Sequence, residues 1–158
     1  MLTVWGRNNS INVQKVMWTV AELGLEHQRH DVGRQFGGLD TVEFRAMNPN
    51  GLIPTIDDDG TIVWESNAVV RYLAAKYGAG SLWPEDVAAR AAADRWMDWM
   101  LGAIIPPMAP VFVGLIRTPP EDRDGAAIAA GAELMTGNWR ILDEHLAATP
   151  YVAGADLT

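Results

Sequence analysis

The chain contains the sequence Asn48-Pro49-Asn50-Gly51-Leu52-Ile53-Pro54-Thr55-Ile56, then a turn at Asp59-Gly60, then Val63-Trp64-Glu65-Ser66-Asn67-Ala68. The apolar runs on both sides of Asp59-Gly60 predict a β-hairpin, because these two residue types suit a tight turn. Proline cannot donate to a strand ladder, so Pro54 predicts a special backbone bend where the hairpin starts. A cis peptide bond is one form of that bend, and a plain strand start with a trans proline is the alternative.

A helix is expected to begin directly after the hairpin, with Ser66 as its cap and Gly78 at its end. A helix N-terminus is a ready binding place for an anion. A bent strand edge next to a helix start therefore predicts a site for an extended ligand with an anionic group. The alternative is an ordinary serine cap preceded by a solvated acid at Glu65.

The first eighty residues predict the element order β-α-β-α-β-β-α. Strands are expected over 2–5, 26–32, 55–57 and 61–64, and a helix from Ile11 is expected to stop at Gly24. A short helix capped by Asp40 should end before Asn48. A βαβ unit followed by ββα on one mixed sheet makes a small α/β domain over residues 1–78.

The second half of the chain predicts helices only. Residues 79–85 are expected to be a linker, and residues 86–158 a helical domain. Within it, the alanine-rich stretch 87–103 has apolar residues at helical spacing. Pro106, Pro107 and Pro110 are expected to break or kink that helix, and a last helix should extend to Leu146.

Composition narrows the classes of partner. The net charge of −8 disfavours nucleic acid and acidic membranes as partners. The chain has no cysteine, which excludes disulfides and cysteine-bound metals, and its three histidines form no helical metal pair, so no metal is expected. No apolar run of membrane-spanning length and no signal pattern is apparent. We therefore expect a soluble cytoplasmic protein without a membrane partner.

Over its whole length the chain resembles the cytosolic glutathione S-transferase family, in its bacterial, serine/theta-like or beta-like branch. The resemblance is carried by residues 10–16, 48–56 and 65–73, with support from Trp83-Pro84 and residues 90–99. It implies an α/β plus all-α fold, with a thioredoxin-like N-terminal domain followed by a helical C-terminal domain. It also implies a homodimer with a role in detoxification.

Two positions depart from the family pattern. Leu52 stands where the family often has a basic residue that contacts the glycyl end of glutathione. The chain also stops at Asp156-Leu157-Thr158, a segment that leads into a central helix in relatives. We interpret the C-terminal domain as incomplete.

The resemblance assigns roles to individual residues. Ser10 is the expected catalytic residue, because a hydroxyl donor at a helix N-terminus stabilises the thiolate of glutathione; an N-cap without catalytic role is the alternative. Asn12 is the second donor. Ile53 at the Pro54 bend is expected to pair with glutathione through its backbone. Ser66 would bind the γ-glutamyl carboxylate and Glu65 its ammonium group.

The electrophile site is expected to be apolar. Four residues are candidates for a pocket that accepts a small hydrophobic electrophile: Ile11, Trp99, Met100 and Ile104. Burial in the domain interface explains them equally well. Arg7 and Lys15 are interpreted as solvated surface charges.

The sequence thus predicts a transferase that conjugates the glutathione thiolate to small hydrophobic electrophiles, with glutathione as co-substrate. One alternative is a glutathione-dependent peroxidase or disulfide reductase of the same fold, since Asn12 resembles such bacterial members. The other is a non-catalytic glutathione-binding or interaction protein, because a fold does not establish a function.

Overall fold

A computed structural model describes residues Met1–Thr158 and divides them into two compact units, Met1–Trp83 and Pro84–Thr158. The expected order β-α-β-α-β-β-α of the first unit is confirmed. Its strands are β1 (Leu2–Trp5), β2 (His27–His30), β3 (Thr55–Asp58) and β4 (Thr61–Trp64). Its helices are α1 (Ile11–Glu22), α2 (Val42–Met47) and α3 (Ser66–Tyr77). A single 3₁₀ turn, Arg34–Phe36, follows β2.

The four strands form one mixed sheet in the order β2-β1-β3-β4. β1 is parallel to β2 and antiparallel to β3, and β3 is antiparallel to β4. In the register, Trp5 pairs with both His30 and Thr55, and Thr55 pairs with Trp64. β1, β2 and β4 therefore finish at the end of the sheet where β3 begins, which we call the loop end.

The core of the first unit lies between the sheet and helices α1 and α3. Its buried side chains come from β1, α1, β3 and α3, and they are Leu2, Val4, Val16, Val20, Ile56, Val69 and Leu73. Burying each such side chain contributes about 1.5–3 kcal/mol, so this cluster fixes both helices against the sheet. The N-termini of α1 and α3 are thereby placed at the loop end.

The hairpin and the bend at its start agree with the prediction from the sequence. Asp59 and Gly60 both have positive φ, 50° and 90°, as a two-residue hairpin turn requires. Asp57 supports the turn by accepting a hydrogen bond of 2.6 Å from the Gly60 N–H. The Ile53–Pro54 peptide bond is cis.

Two expected helix caps are wrong. The N-cap of α2 is Thr41, whose hydroxyl accepts from the Phe44 N–H at 3.2 Å, so Asp40 lies one residue too early to cap this helix. The N-cap of α3 is Glu65, and Ser66 is the first helical residue. The hydroxyl of Ser66 points to another helix instead of capping its own.

The second unit is helical. It contains α4 (Val87–Trp99), α5 (Ile105–Phe112) and α6 (Gly125–Leu146), with π-helical segments at Met100–Ile104 and Val113–Arg117 and a 3₁₀ turn at Pro120–Asp122. The expected break at Pro106, Pro107 and Pro110 does not occur. The helix changes to π-helical hydrogen bonding over Met100–Ile104 directly before Pro106 and Pro107, and Pro110 lies inside α5.

The helical path Val87–Arg117 is therefore continuous over 31 residues. Its most apolar window has a mean hydropathy of 1.8, so by length and composition it is long enough to cross a membrane. The expectation that no apolar run reaches that length is wrong. One such helix is weak evidence for membrane insertion, because core helices of soluble proteins meet the same criterion.

Candidate functional site

The candidate residues of the first unit form a row across the loop end of the sheet. The strand order places Arg34 after β2, Ser10 after β1, Ile53 before β3 and Ser66 after β4. Neighbouring strands lie about 4.8 Å apart, so the row spans about 14 Å. An extended tripeptide covers about 10–12 Å, at ~3.5 Å per residue. The row therefore has the length of a short extended peptide.

Ser10 is the N-cap of α1 by its backbone, but its side chain makes no capping hydrogen bond. The Ser10 carbonyl accepts from the Gln14 N–H at 2.9 Å and its N–H donates to the Arg7 carbonyl at 3.3 Å. Ser10 thus caps the helix through its backbone alone, and its hydroxyl forms no hydrogen bond within the chain. Ser10 presents a half-buried hydroxyl at the positive end of a helix, where a negative charge is stabilised.

Asn12 and Ser66 are brought together, although they lie on different helices. The Ser66 hydroxyl donates to Asn12 Oδ1 at 3.3 Å. Ser66 is only 6% exposed, whereas Asn12 is exposed. The first turns of α1 and α3 therefore face one another through polar groups, and the backbone N–H groups of the first turn of α3 are directed to the same place.

Glu65 has an unusual backbone conformation. Its φ is +70°, a region that few residues other than glycine adopt, and such strained residues cluster at ligand sites. Lys15 donates from Nζ to Asn67 Oδ1 at 2.8 Å. Burial lowers the pKa of Lys15, and the nearby Glu65 carboxylate acts to raise it. The interpretation of Lys15 as a solvated charge is wrong: it is half-buried beside the start of α3.

The bend before β3 is fixed by a residue that sequence reasoning missed, Asn48. It is 2% exposed, and its amide nitrogen donates to the Leu52 carbonyl at 2.9 Å and to Thr55 Oγ1 at 3.1 Å. Its amide oxygen accepts from the Asn50 N–H at 3.1 Å. Asn48 thus binds the chain on both sides of Ile53. The Asn-Pro-Asn-Gly turn pattern was the available signal, because Asn side chains in turns bond their own backbone.

Ile53 lies outside the ladder, and its N–H and carbonyl make no loop hydrogen bond. Its side chain is packed between two glycines. A Cβ on Gly6 would lie 3.5 Å from Ile53 Cβ, and a Cβ on Gly33 would lie 3.7 Å from Ile53 Cδ1. The side chain is therefore fixed while the main chain is available to an extended ligand.

A small open hollow lies beside Asn9, next to Ser10 in the chain. Its volume is about 290 Å³, and it is lined by Asn8, Asn9, Gln14, Asp31, Gln35 and Phe36. Five of its six lining residues carry an amide or a carboxylate, although carbon atoms form most of the lined surface, so the hollow can accept a polar portion of a ligand at its edge. No group of three or more His, Asp or Glu side chains is arranged to bind a metal ion.

The four electrophile-pocket candidates lie in different units. Ile11 opens α1 in the first unit and is 58% exposed. Trp99 ends α4, and Met100 and Ile104 begin and end the following π-helical segment in the second unit. Ile104 is only 5% exposed. Their joint pocket stays a prediction.

Comparison with known proteins identifies relatives over nearly the whole chain. The family model described as "Glutathione S-transferase, N-terminal domain" matches residues 9–76. The chain is 47% identical over 156 residues to glutathione S-transferase GstB of Escherichia coli K12, covering 98% of this chain and 75% of that protein.

A solved structure gives the same result. The theta class glutathione S-transferase of Xanthomonas axonopodis pv. citri, crystallised with glutathione bound, matches with a TM-score of 0.94 and 43% identity. The match covers 99% of this chain and 75% of that one. Glutathione S-transferase 3 of Zea mays is 29% identical over 99% of this chain and 72% of its own length. The chain thus spans about three quarters of each of these relatives.

Proposed function

This chain belongs to the glutathione S-transferase family, and from that premise we propose that it conjugates glutathione to small hydrophobic electrophiles. Glutathione would occupy the row at the loop end of the sheet. The observation that carries the proposal is the unused Ser10 hydroxyl, placed in that row between the Ile53 edge and the paired side chains Asn12 and Ser66.

The γ-glutamyl end of the ligand would bind at the start of α3. Its carboxylate suits the N–H groups and hydroxyl of Ser66, because a helix N-terminus favours negative charge. Its ammonium group suits the exposed Glu65 carboxylate. The cysteinyl backbone would then pair with the free N–H and carbonyl of Ile53, in the manner of an added strand.

The thiol of the ligand would lie near Ser10. The hydroxyl donates a hydrogen bond to the sulfur and stabilises the thiolate, with the helix α1 terminus adding a favourable potential. Lowering the thiol pKa by about two units needs ~2.7 kcal/mol of differential stabilisation, which one charge-assisted hydrogen bond and a helix end can supply. The thiolate then attacks the electrophilic carbon and displaces its leaving group.

The test compares the parent with Ser10→Ala and Ser10→Thr, using an aryl halide as model electrophile. We expect Ser10→Ala to lower kcat/KM about 10- to 50-fold, because the variant loses a charge-assisted hydrogen bond of ~1.5–2.3 kcal/mol but keeps the helix terminus, and to raise the pKa of the bound glutathione thiol in an ultraviolet titration of the thiolate. Glutathione affinity should change less than about threefold, and Ser10→Thr should restore part of the activity. Unchanged turnover in Ser10→Ala removes Ser10 from the mechanism.

The same assay separates the alternative functions. Asn12 is the second candidate donor, two residues after Ser10 in the first turn of α1, and its resemblance to bacterial members keeps a peroxidase or disulfide reductase as second candidate. Turnover of a hydroperoxide or mixed disulfide with a second glutathione, but not of the aryl halide, selects that activity. Glutathione binding without any turnover selects a non-catalytic binding protein.

We extend the proposal to a cytoplasmic homodimer, on the strength of family membership alone. Light scattering on the purified protein measures its mass directly. A monomer at micromolar concentration contradicts this part of the proposal and leaves the catalytic part untouched.

A further inference from the structure

The ammonium group of Lys15 is half-buried and has a neutral hydrogen-bond acceptor. It donates to Asn67 Oδ1 at 2.8 Å, in a contact between residues 52 apart in sequence. Arg29 and Lys76, by contrast, bond the carboxylates of aspartates. Burial lowers the pKa of Lys15, because the charged form loses hydration that an amide oxygen only partly replaces. A cation in this setting is stabilised further when an anion lies close to it.

Lys15 makes one of two polar contacts that join α1 to the first turn of α3. Asn12 accepts from the Ser66 hydroxyl at 3.3 Å, and Lys15 donates to Asn67. Asn12 and Lys15 are three residues apart and therefore lie on one face of α1. Ser66 and Asn67 are the first two residues of α3, and each is 6% exposed. Lys15 thus holds the neighbour of Ser66 against α1.

The first turn of α3 lacks the negative charge that a helix start favours. Its N-cap residue, Glu65, makes no capping hydrogen bond, and no acidic residue lies in the first turn. The unpaired N–H groups of a helix start carry partial positive charge. The ammonium group of Lys15 adds positive charge at the same place. This accumulation is unfavourable in the free protein and is relieved when an anion binds there.

Glu65 places a negative charge close to this positive one. It lies two residues before Asn67, the hydrogen-bond partner of Lys15. Its carboxylate is exposed and acts to raise the pKa of Lys15, against the larger effect of burial. A cation and an anion side by side match a group that carries a carboxylate and an ammonium on one carbon atom, as a free amino-acid head does.

We propose that Lys15 is a positioning residue for the γ-glutamyl end of glutathione: anchored on Asn67, it holds Ser66 at the ligand and supplies the positive charge by which the site selects a free α-carboxylate. This inference rests on the proposed function. Lys15 is then the positive half of head-group recognition, and Glu65 is the negative half. The competing explanation is a lysine that only joins α1 to α3, which would support every ligand equally.

The experiment compares three thiol ligands on the full chain. They are glutathione, γ-aminobutyryl-cysteinyl-glycine, which lacks only the α-carboxylate, and glutaryl-cysteinyl-glycine, which lacks only the ammonium group. Calorimetry gives each Kd, and turnover of an aryl halide gives each KM and kcat. We expect the parent to bind glutathione about 10- to 100-fold more tightly than the γ-aminobutyryl analogue, because that analogue loses a charge-assisted contact.

Lys15→Met is the decisive variant, because it keeps an unbranched side chain and removes the charge and the donor. It should raise the glutathione KM about tenfold and change kcat less than about twofold, since the lost interaction is the same in ground and transition states. The preference for glutathione over the γ-aminobutyryl analogue should fall about tenfold, and that over the glutaryl analogue should stay within about threefold. Lys15→Arg keeps the charge and should keep the carboxylate preference within about threefold of the parent.

Arg140→Met is the matched control, because it removes a positive charge from an exposed position in the second unit. It should change no Kd beyond about twofold, since distant exposed charges are screened. If Lys15→Met weakens all three ligands alike, the role of Lys15 is purely structural and the inference is overturned, while the proposed function stands. Equal affinity of the parent for glutathione and the γ-aminobutyryl analogue overturns the inference without any variant. A parent that binds none of the three ligands overturns both proposals.

Discussion

The Ser66 hydroxyl donates to Asn12 Oδ1 at 3.3 Å and joins the first turns of two helices that are 54 residues apart in sequence. Neither residue is needed for capping its helix, because Ser10 and Glu65 occupy the N-cap positions. The bond therefore links the two helix starts at which we propose that the thiol and the γ-glutamyl group bind. We expect the contributions of these two parts of the row to ligand binding to be coupled.

That dependence predicts non-additive effects. Asn12→Ala and Ser66→Ala should each raise the glutathione Kd by about tenfold, because each removes a polar contact in the row. The double variant should be less impaired than the product of the two, with a coupling of about 0.5–1.5 kcal/mol. Calorimetric titration of the four proteins measures it. Strict additivity means that the bond does not link the two binding regions.

Asn48 predicts a loss of stability that propagates to the site. Asn48→Ala removes the buried donor to Thr55 Oγ1 and one of the two donors to the Leu52 carbonyl, which Thr55 Oγ1 also bonds at 3.3 Å, so we expect the free energy of unfolding to fall by about 1–3 kcal/mol. The glutathione KM should rise as well, because Ile53 loses its support. Denaturant unfolding and steady-state kinetics measure the two effects.

The control for Asn48 is its neighbour Asn50, which is exposed. Asn50→Ala removes only the donation from Asn50 Nδ2 to Asn48 Oδ1 at 3.2 Å and keeps the one from the Asn50 N–H, so it should cost under about 1 kcal/mol. Equal losses in both variants would show that Asn48 contributes only to the turn and not to the bend.

Asp58 predicts a defined pH dependence of stability. This carboxylate is 1% exposed and accepts from Tyr72 and Tyr77, each at 2.9 Å, and from Lys76 at 2.7 Å. Burial acts to raise the pKa of Asp58, but the three hydrogen bonds outweigh it and lower that pKa. The Asp58 carboxylate raises the pKa of Lys76. The cluster thus fastens β3 to α3 most strongly while Asp58 is negative and Lys76 is positive.

The direction of each pKa shift determines in which pH range the group stabilises the folded state. A lowered Asp58 pKa gives stability that is present above the unfolded value of about 3.9 and is lost as pH falls through the folded value. A raised Lys76 pKa gives stability that is present below about 10.4 and is lost as pH rises through the folded value. Asp58→Asn should therefore cost about 1.5–3 kcal/mol between pH ~5 and ~10, and less as pH falls below ~4.

Urea unfolding of the parent and Asp58→Asn at about pH 3, 7 and 10 measures the difference at each pH, and we expect it to shrink only at pH ~3. Asp40→Asn is the control, because this exposed carboxylate makes no hydrogen bond or ion pair. A difference between parent and Asp58→Asn that stays constant across the range would mean that the charge of Asp58 does not contribute.

Local signals in the sequence predicted the elements well and the caps poorly. Asp59-Gly60 specified the hairpin because both residues tolerate positive φ, and Gly24 ended α1 for the same reason. The choice between Asp40 and Thr41 as cap was not predictable from residue type, because both are good caps one position apart. The positions of turns and helix stops follow from short-range chemistry. The choice of the N-cap residue depends on where the first turn of the helix packs.

The long-range contacts of the site were beyond sequence reasoning. From the sequence we expect Lys15 to be a surface charge. Only the packing of α1 against α3 places its amine next to Asn67. From its sequence position Arg7 is likewise expected to be solvated, and only the approach of its guanidinium to Gly33 shows that the side chain is half-buried. Both errors have one cause, since the exposure of a long cationic side chain depends on neighbours distant in sequence.

The second unit offers a matched pair of glycines on one helix, α6. A Cβ on Gly131 would lie 2.5 Å from the Pro107 carbonyl and 2.9 Å from a methyl of Val111, so α5 approaches α6 closely at this point. A Cβ on Gly137 would meet nothing within 4 Å. Helix propensity favours alanine over glycine at both positions by about 0.8–1 kcal/mol. Only the packing differs between them.

We therefore expect opposite signs. Gly137→Ala should raise the free energy of unfolding by about 0.5–1 kcal/mol through propensity alone. Gly131→Ala should lower it by about 1–3 kcal/mol, because the Pro107 backbone cannot yield as a flexible side chain would and the overpacking outweighs the propensity gain. Thermal and denaturant unfolding of both variants gives the comparison. A stabilised Gly131→Ala would mean that α5 and α6 are less closely packed than the structure shows.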